Sequence, residues 1–229
     1  MKKQHIPTLF ALSLLLLNAC THSPKTTTEN EVTADSTHSG NIIRTIIQTS
    51  RNFQQINIFT DMDIEWTEGP CSVTFVGNPF QLADYDIDID DAGLTVNLVG
   101  NAGDGSLAVT SPTLTLLSNY GNGTIRLRGT LHTDHLEIGN MQDGRIEADT
   151  LDCQTLKYTS LENAEADFGL VRGDEAMIIA DGHGSTRLTL DVRHLNLQAW
   201  GTQIVNLDGH ADTKDIQSNP TTTVNDRLN

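Results

Sequence analysis

Apolar and polar residues alternate in short runs along most of the chain, and over residues 114–208 the pattern repeats itself. Segments opening at Leu114, Leu136, Leu156, Met177 and Leu195 each begin with an apolar-rich triplet, pass through residues rich in Gly, Asn, Asp and Ser, and end in a second alternating run. The openings are 22, 20, 21 and 18 residues apart. A period near 20 residues with period-two alternation inside it predicts a stacked β-solenoid or a long β-meander. One such coil cannot bury its own apolar face, whereas coils stacked at about 4.8 Å put Leu upon Leu and Ile upon Ile.

The expected inward residues of the first runs are Leu114 and Leu116, Leu136 and Ile138, Leu156 and Tyr158, Ile178, and Leu195 and Leu197. Those of the second runs are Ile125 and Leu127, Ile146 and Ala148, Ala164 and Ala166, Leu188 and Leu190, and Ile204 with Leu207. Stacking in this register brings Arg126 near Glu147 and Asp167 near Arg187, as surface ion pairs that help fix the register. The third rung, with Ala164 and Ala166 where its neighbours carry Ile or Leu, is expected to be thinly packed and the first place for a break or groove.

Residues 41–99 also read as strands. Met62, Ile64 and Trp66 alternate with Asp61, Asp63 and Glu65, and Tyr85, Ile87 and Ile89 alternate with Asp84, Asp86, Asp88 and Asp90. No window carries helical periodicity, and residues 80–83 allow one helical turn at most. Residues 100–111 form a Gly, Asn and Asp-rich connector with a short strand at Leu107 and Val109, marking a joint before the rungs. The fold class expected is all-β: a right-handed parallel β-helix-like solenoid with about five C-terminal rungs over 112–210, preceded by a β-rich N-terminal portion, 41–99, packed on it.

The first 40 residues break the pattern. Lys2 and Lys3 precede an apolar segment, residues 6–17, too short to span a bilayer comfortably, and Leu17-Asn18-Ala19-Cys20 follows. This is the layout of an export signal. It resembles the lipobox of bacterial lipoproteins, which implies cleavage after residue 19 and a lipid on Cys20 that anchors the mature chain to membrane. Residues 21–40 are Thr, Ser, Asn and Glu with little to bury, and read as a disordered tether. Thr21-His22-Ser23-Pro24-Lys25 places no acid directly after the cysteine, which favours the periplasmic face of the outer membrane over the cell surface.

Charge narrows the partners. The formal net charge is −16, and removal of residues 1–19 takes away two lysines and no acid, leaving −18. Nucleic acid and anionic membrane are disfavoured, because phosphate binding needs clustered Arg and Lys. Cys71 and Cys153 remain beside Cys20, and two free buried thiols are expected.

The order Asn52-Phe53, Ile56-Asn57-Ile58, Asp63-Ile64-Glu65, Glu68-Gly69, Val73-Thr74-Phe75-Val76-Gly77-Asn78 and Asp91-Ala92-Gly93-Leu94-Thr95-Val96 resembles the head GIN domain family. The likeness extends from about residue 41 to the end. It implies an adhesin-like, non-catalytic envelope protein, of a kind often found as lipoproteins of Bacteroidetes, with no cofactor. Where the family repeats Gly-Ser-Gly-Asp turns, this chain has Tyr120-Gly121-Asn122-Gly123, Gln142-Asp143-Gly144 and Gly182-His183-Gly184-Ser185.

Candidate chemistry is sparse. Asp84, Asp86, Asp88 and Asp90 supply hard oxygen ligands for Ca²⁺, but residues two apart on a strand lie about 7 Å from each other, so a solvated strand face is the plainer reading. His132, Asp134 and His135 suggest zinc without the usual spacing. His183 and Ser185 lack a nucleophile elbow. Glu147 with Asp149, and Glu165 with Asp167, are outward carboxylate pairs at a separation that glycosidases use, which makes a carbohydrate-active enzyme the alternative to a binding module. No aromatic platform accompanies them, since Trp66 and Trp200 stand apart in the sequence. Partners left open are an envelope or extracellular protein, a glycan, and a second copy through the solenoid edges.

Overall fold

The computed structural model describes residues 43–48, 51–90, 93–100 and 103–229, so the signal segment, Cys20 and the tether lie outside the described residues. The described chain forms β1 (Ile43–Gln48), β2 (Gln55–Phe59), β3 (Asp63–Glu68), β4 (Ser72–Gly77), a 3-10 turn (Pro79–Asp84), β5 (Tyr85–Ile89), β6 (Leu94–Leu98) and β7 (Ser106–Ser111). It continues as β8 (Leu116–Asn119), β9 (Thr124–Asn140), β10 (Arg145–Glu162), β11 (Glu165–Gly182), β12 (Ser185–Gly201), β13 (Ile204–Ser218) and β14 (Thr223–Leu228). Strands β9 to β14 pair in parallel, each with the next, and the whole is a β-solenoid of about six turns. Among the described residues no helix is long and apolar enough to cross a membrane.

Stacking order differs from chain order at the N-terminal end. β2 pairs in parallel with β8 on one side and β6 on the other, and β3 pairs in parallel with β9 and β7. Residues 55–68 therefore form a coil wedged between a coil made by β6 with β7 and the coil that begins with β8. The connector expected at 100–111 thus contributes β7 to the same continuous sheet. Antiparallel strands cover this end: β4 pairs with β7, β1 with β4, and β5 with β6. An exposed parallel edge would invite strand addition, and the antiparallel strands occupy it.

Two sets of columns make the core. On one side Ile64, Ile125, Ile146, Ala166, Thr186, Val205 and Val224 stand in register, next to Trp66, Leu127, Ala148, Phe168, Leu188, Leu207 and Asp226. On the other side Ile56, Leu117, Ile138, Tyr158, Ile178, Leu197 and Ile216 stack, beside Ile58, Asn119, Asn140, Ser160, Ala180, Ala199 and Ser218. Burying each large member contributes about 1.5–3 kcal/mol. Trp66 is fully buried, and its indole N–H donates to Ser111 Oγ at 2.8 Å. Asn119 donates to Asn140 and to the Gly123 carbonyl, while Asn140 donates to the carbonyls of Gly144 and Glu165, so buried amides satisfy the turn backbone that the coils leave open.

Three expectations change. Leu116 is only half-buried and Leu117 takes the inward position, because the chain bends at residues 112–115 and the strand phase restarts at Leu116. Ile204 is exposed and Val205 is buried, since only one of two residues at odd separation can share a face with Leu207. The third rung has no break in its pairing, only a shallow concavity outside it at Asp167 and Gly169: Phe168 packs beside Ala166, edge-on to Tyr158 at 5.0 Å, between Ala148 and Leu188 of the adjacent coils. Cys71 and Cys153 are free and buried, as expected.

Candidate functional site

The turn-side sheet shows what becomes of the acidic pairs. Parallel register places Arg126 beside Glu147 and Asp167 beside Arg187, with Nε–Oε2 at 3.5 Å and Nη1–Oδ2 at 3.1 Å. Arg126 also reaches Asp63 at 3.0 Å. Arg145 bridges Glu147 at 2.8 Å and Glu165 at 2.6 Å, and Asp149 accepts from the Gly129 amide and from Arg128. Glu147, Asp149, Glu165 and Asp167 therefore share one outer face, each held by arginine. The guanidinium groups engage one oxygen each of Glu165 and Asp167 and both oxygens of Glu147, and tie the carboxylates together along the stack. A shallow concavity lies here, lined by Arg128, Glu147, Ala148, Asp149, Asp167 and Gly169.

The second acidic row stays apart from this face. Asp86 and Asp88 are exposed on alternate positions of β5, the Asp84 carbonyl accepts from the amides of Val99 and Gly100, and Asp90 Oδ1 accepts from the Gly93 amide. Among the described residues no group of three or more His, Cys, Asp or Glu is placed to hold a metal ion.

His132 and His135 line an open cleft with Asp134, Asp152, Cys153 and Gln54. His132 Nδ1 lies 3.2 Å from Asp152, and Gln154 donates to Asp134 at 3.2 Å. Burial, with the Asp152 charge adding to it, pushes the Cys153 thiol up to about 11, which keeps it protonated and unreactive at neutral pH. His183 Nδ1 contacts Thr202 Oγ1 at 2.7 Å, so its ring is engaged along the corner.

The opposite sheet carries a feature that the linear sequence hides. The residue leaving each first run, just before the turn, points outward: Phe59, Tyr120, Met141, Leu161, Asp181 and Trp200. Phe59 and Tyr120 stack in parallel with centroids 4.6 Å apart. Phe59 is 48% exposed and Trp200 38%, whereas Trp66 lies in the core. The two tryptophans are thus unrelated, and Trp200 belongs to an aromatic and aliphatic row. The signal was present in the apolar residue preceding each turn, but those residues become neighbours only through the register. Beside the row runs a ladder of turn residues: the Asn122 amide donates to Asp61, the Asp143 amide to Asn122, and the Asn163 side chain to Asp143.

Comparison with known proteins agrees with this architecture. A family model described as putative auto-transporter adhesin, head GIN domain, matches residues 52–169. The fold is similar to crystal structures of putative adhesins from Parabacteroides distasonis (12% identity, TM-score 0.65, 82% of this chain and 96% of that one) and Bacteroides fragilis (17%, 0.54, 83% and 95%). A third, from Parabacteroides merdae, aligns at 16% identity and a TM-score of 0.52 over 81% of this chain and 97% of its own. No match was found among curated proteins. With its family model covering more than half of the chain and the solenoid shared over most of its length, the protein belongs to the head GIN domain family of putative auto-transporter adhesins.

Proposed function

We propose that the protein is a lipid-anchored binding module of the bacterial cell envelope, adhesion-like and without catalysis. The observation that carries this reading is the engagement of Glu147, Asp149, Glu165 and Asp167 by arginine across successive coils. The carboxylates that an acid–base mechanism would use lace the scaffold together instead. A rigid stack of coils with an adhesin family's architecture suits presentation of a surface.

In this reading residues 1–19 direct export, Cys20 carries the lipid, residues 20–40 form the tether and residues 41–229 form the binding domain, held on the periplasmic face of the outer membrane. A palmitate label should enter the wild-type chain and not Cys20→Ser, and the variant should move to the soluble fraction. Protease treatment of intact cells then reports the face, with protection expected. For binding, beads coated with the mature chain should be retained on envelope preparations above uncoated beads. Retention no greater than that of uncoated beads would overturn the reading, as would product release from a glycan panel.

A further inference from the structure

We propose that the row Phe59, Tyr120, Met141, Leu161, Asp181 and Trp200 is the docking track for a linear, uncharged glycan. The inference rests on the binding-module reading and names its surface and ligand class.

Phe59 and Trp200 are exposed and Tyr120, Met141 and Leu161 half-buried, and apolar side chains that reach solvent in one line mark an interaction site where scattered ones do not. This line crosses five coil-to-coil steps of about 4.8 Å, a track of ~24 Å. It is a narrow strip, with the turn ladder of Asn122, Asp143 and Asn163 along one flank and, two residues earlier on the strands, Asn57, Thr159 and Gln198 along the other, in a column that also holds Ser118, Gly139 and the apolar Ile179. A stable protein partner needs about 800 Å² on each side, far more than so narrow a strip provides. An extended peptide gains its affinity from unpaired strand edges, and here the backbone groups of the neighbouring coils are paired in the ladder.

A pyranose chain fits both textures. Its C–H faces are apolar and its edges carry hydroxyls, each a donor and an acceptor. Carboxamides offer both roles in return, and Thr159 adds a hydroxyl.

Charge selects among glycans. Among the described residues, the charges on and beside this outer face include Glu137 and Lys157, paired at 2.6 Å, Asp181 in the row, Glu175 farther along the same face of β11, and Asp61 and Asp143 in the turn ladder, a balance that is acidic. A chain of net charge −16 repels uronates and phosphorylated polymers, whereas a neutral polymer meets no such field.

Trp200 is itself the reporter, because the protein's other tryptophan, Trp66, is buried. The mature chain is titrated with cellohexaose, chitohexaose, laminarihexaose and mannohexaose, with hexagalacturonate as the charged comparison. At least one neutral hexasaccharide should change the Trp200 emission. By calorimetry, Tyr120→Ser and Leu161→Ser should each weaken its binding at least tenfold, with Arg187→Gln on the ion-paired face leaving it unchanged. Thermal melts check that each variant folds; should either serine variant fail to fold, Trp200→Ala replaces it in the calorimetry.

The proposal falls if no neutral hexasaccharide is bound, if hexagalacturonate binds as tightly, or if binding survives the row substitutions. If coated beads still adhere while every hexasaccharide fails, the glycan assignment is wrong and the binding reading stands. If both fail, the binding reading goes too.

Discussion

Lys214 and Asp226 close the C-terminal end of the solenoid with an ion pair, Nζ to Oδ2 at 2.6 Å. Lys214 ends the column of Leu136, Leu156, Ala176 and Leu195, and Asp226 ends the column that runs through Leu188 and Leu207. Two inward positions thus change from apolar to charged where the stack stops, and the pair spans the open core between them. A bare apolar end would attract a second copy. The double variant Lys214→Leu, Asp226→Leu should therefore associate with rising concentration in sedimentation velocity, whereas the wild-type end carries charge where such a partner would need apolar surface.

The same pair predicts a pH dependence. The Lys214 ammonium and then the Leu228 amide hold the Asp226 carboxyl below its usual range. A carboxyl whose pKa is lower folded than unfolded adds stability that is complete above the unfolded value, near 4, and fades as pH falls through the folded one. The pair is partly exposed, so the effect is at most about 1 kcal/mol. Asp226→Asn should melt earlier than wild type at pH 7, with the difference shrinking toward pH 2.

Phe168 should be the most expensive single truncation in the middle of the stack. It compensates for Ala148 and Ala166 and meets Tyr158 edge-on. Phe168→Ala should cost about 3–5 kcal/mol in urea unfolding, against under about 1.5 kcal/mol for Ile178→Val in a column that needs no such compensation.

Thr186 sits in the core column between Ala166 and Val205, and its buried hydroxyl makes no hydrogen bond of full geometry, although it lies with Ser160 and Asn140 near the Tyr158 hydroxyl. Burial without a partner costs about 1–3 kcal/mol. Thr186→Val, isosteric and matched to Val205 beneath it, should raise the melting temperature, and chemical denaturation should show a gain of about 1 kcal/mol.

One corner of the coil is left-handed at four successive levels: Gln142 at φ 55°, Glu162 at 61°, Gly182 at 136° and Gly201 at 75°. Glycine takes this conformation without penalty, and other residues lose about 1–2 kcal/mol there. A Cβ on Gly201 would also run into the Gly182 carbonyl. Gly201→Ala should destabilise by 2 kcal/mol or more, and Glu162→Gly should be neutral or stabilising by up to about 1 kcal/mol; paired thermal melts of the two variants check both signs.

Much of this was legible in the residues. The alternation and the period near 20 identify stacked β-coils, and the Arg126 to Glu147 and Asp167 to Arg187 contacts follow from counting along them. Leu116 and Ile204 were misplaced because strand phase restarts after each bend, which a count carried through the bend misses. Phe168 was overlooked because a core position is read from its own run, while its packing partners, Ala148 and Tyr158, lie on other coils or other faces.

The sequence by itself determined the β character, the length of a coil and the identity of most inward side chains, since these depend on period-two alternation and local turn chemistry. Tertiary structure alone decided that β2 stacks between β6 and β8 and β3 between β7 and β9, out of chain order, because strand pairing between distant segments leaves no local periodic trace. It also decided that Asp149 and Glu165 meet Arg128 and Arg145 and that Phe59, Tyr120, Met141, Leu161 and Trp200 fall into line. Those relationships run along the stack, perpendicular to the chain, where register and not sequence proximity makes neighbours.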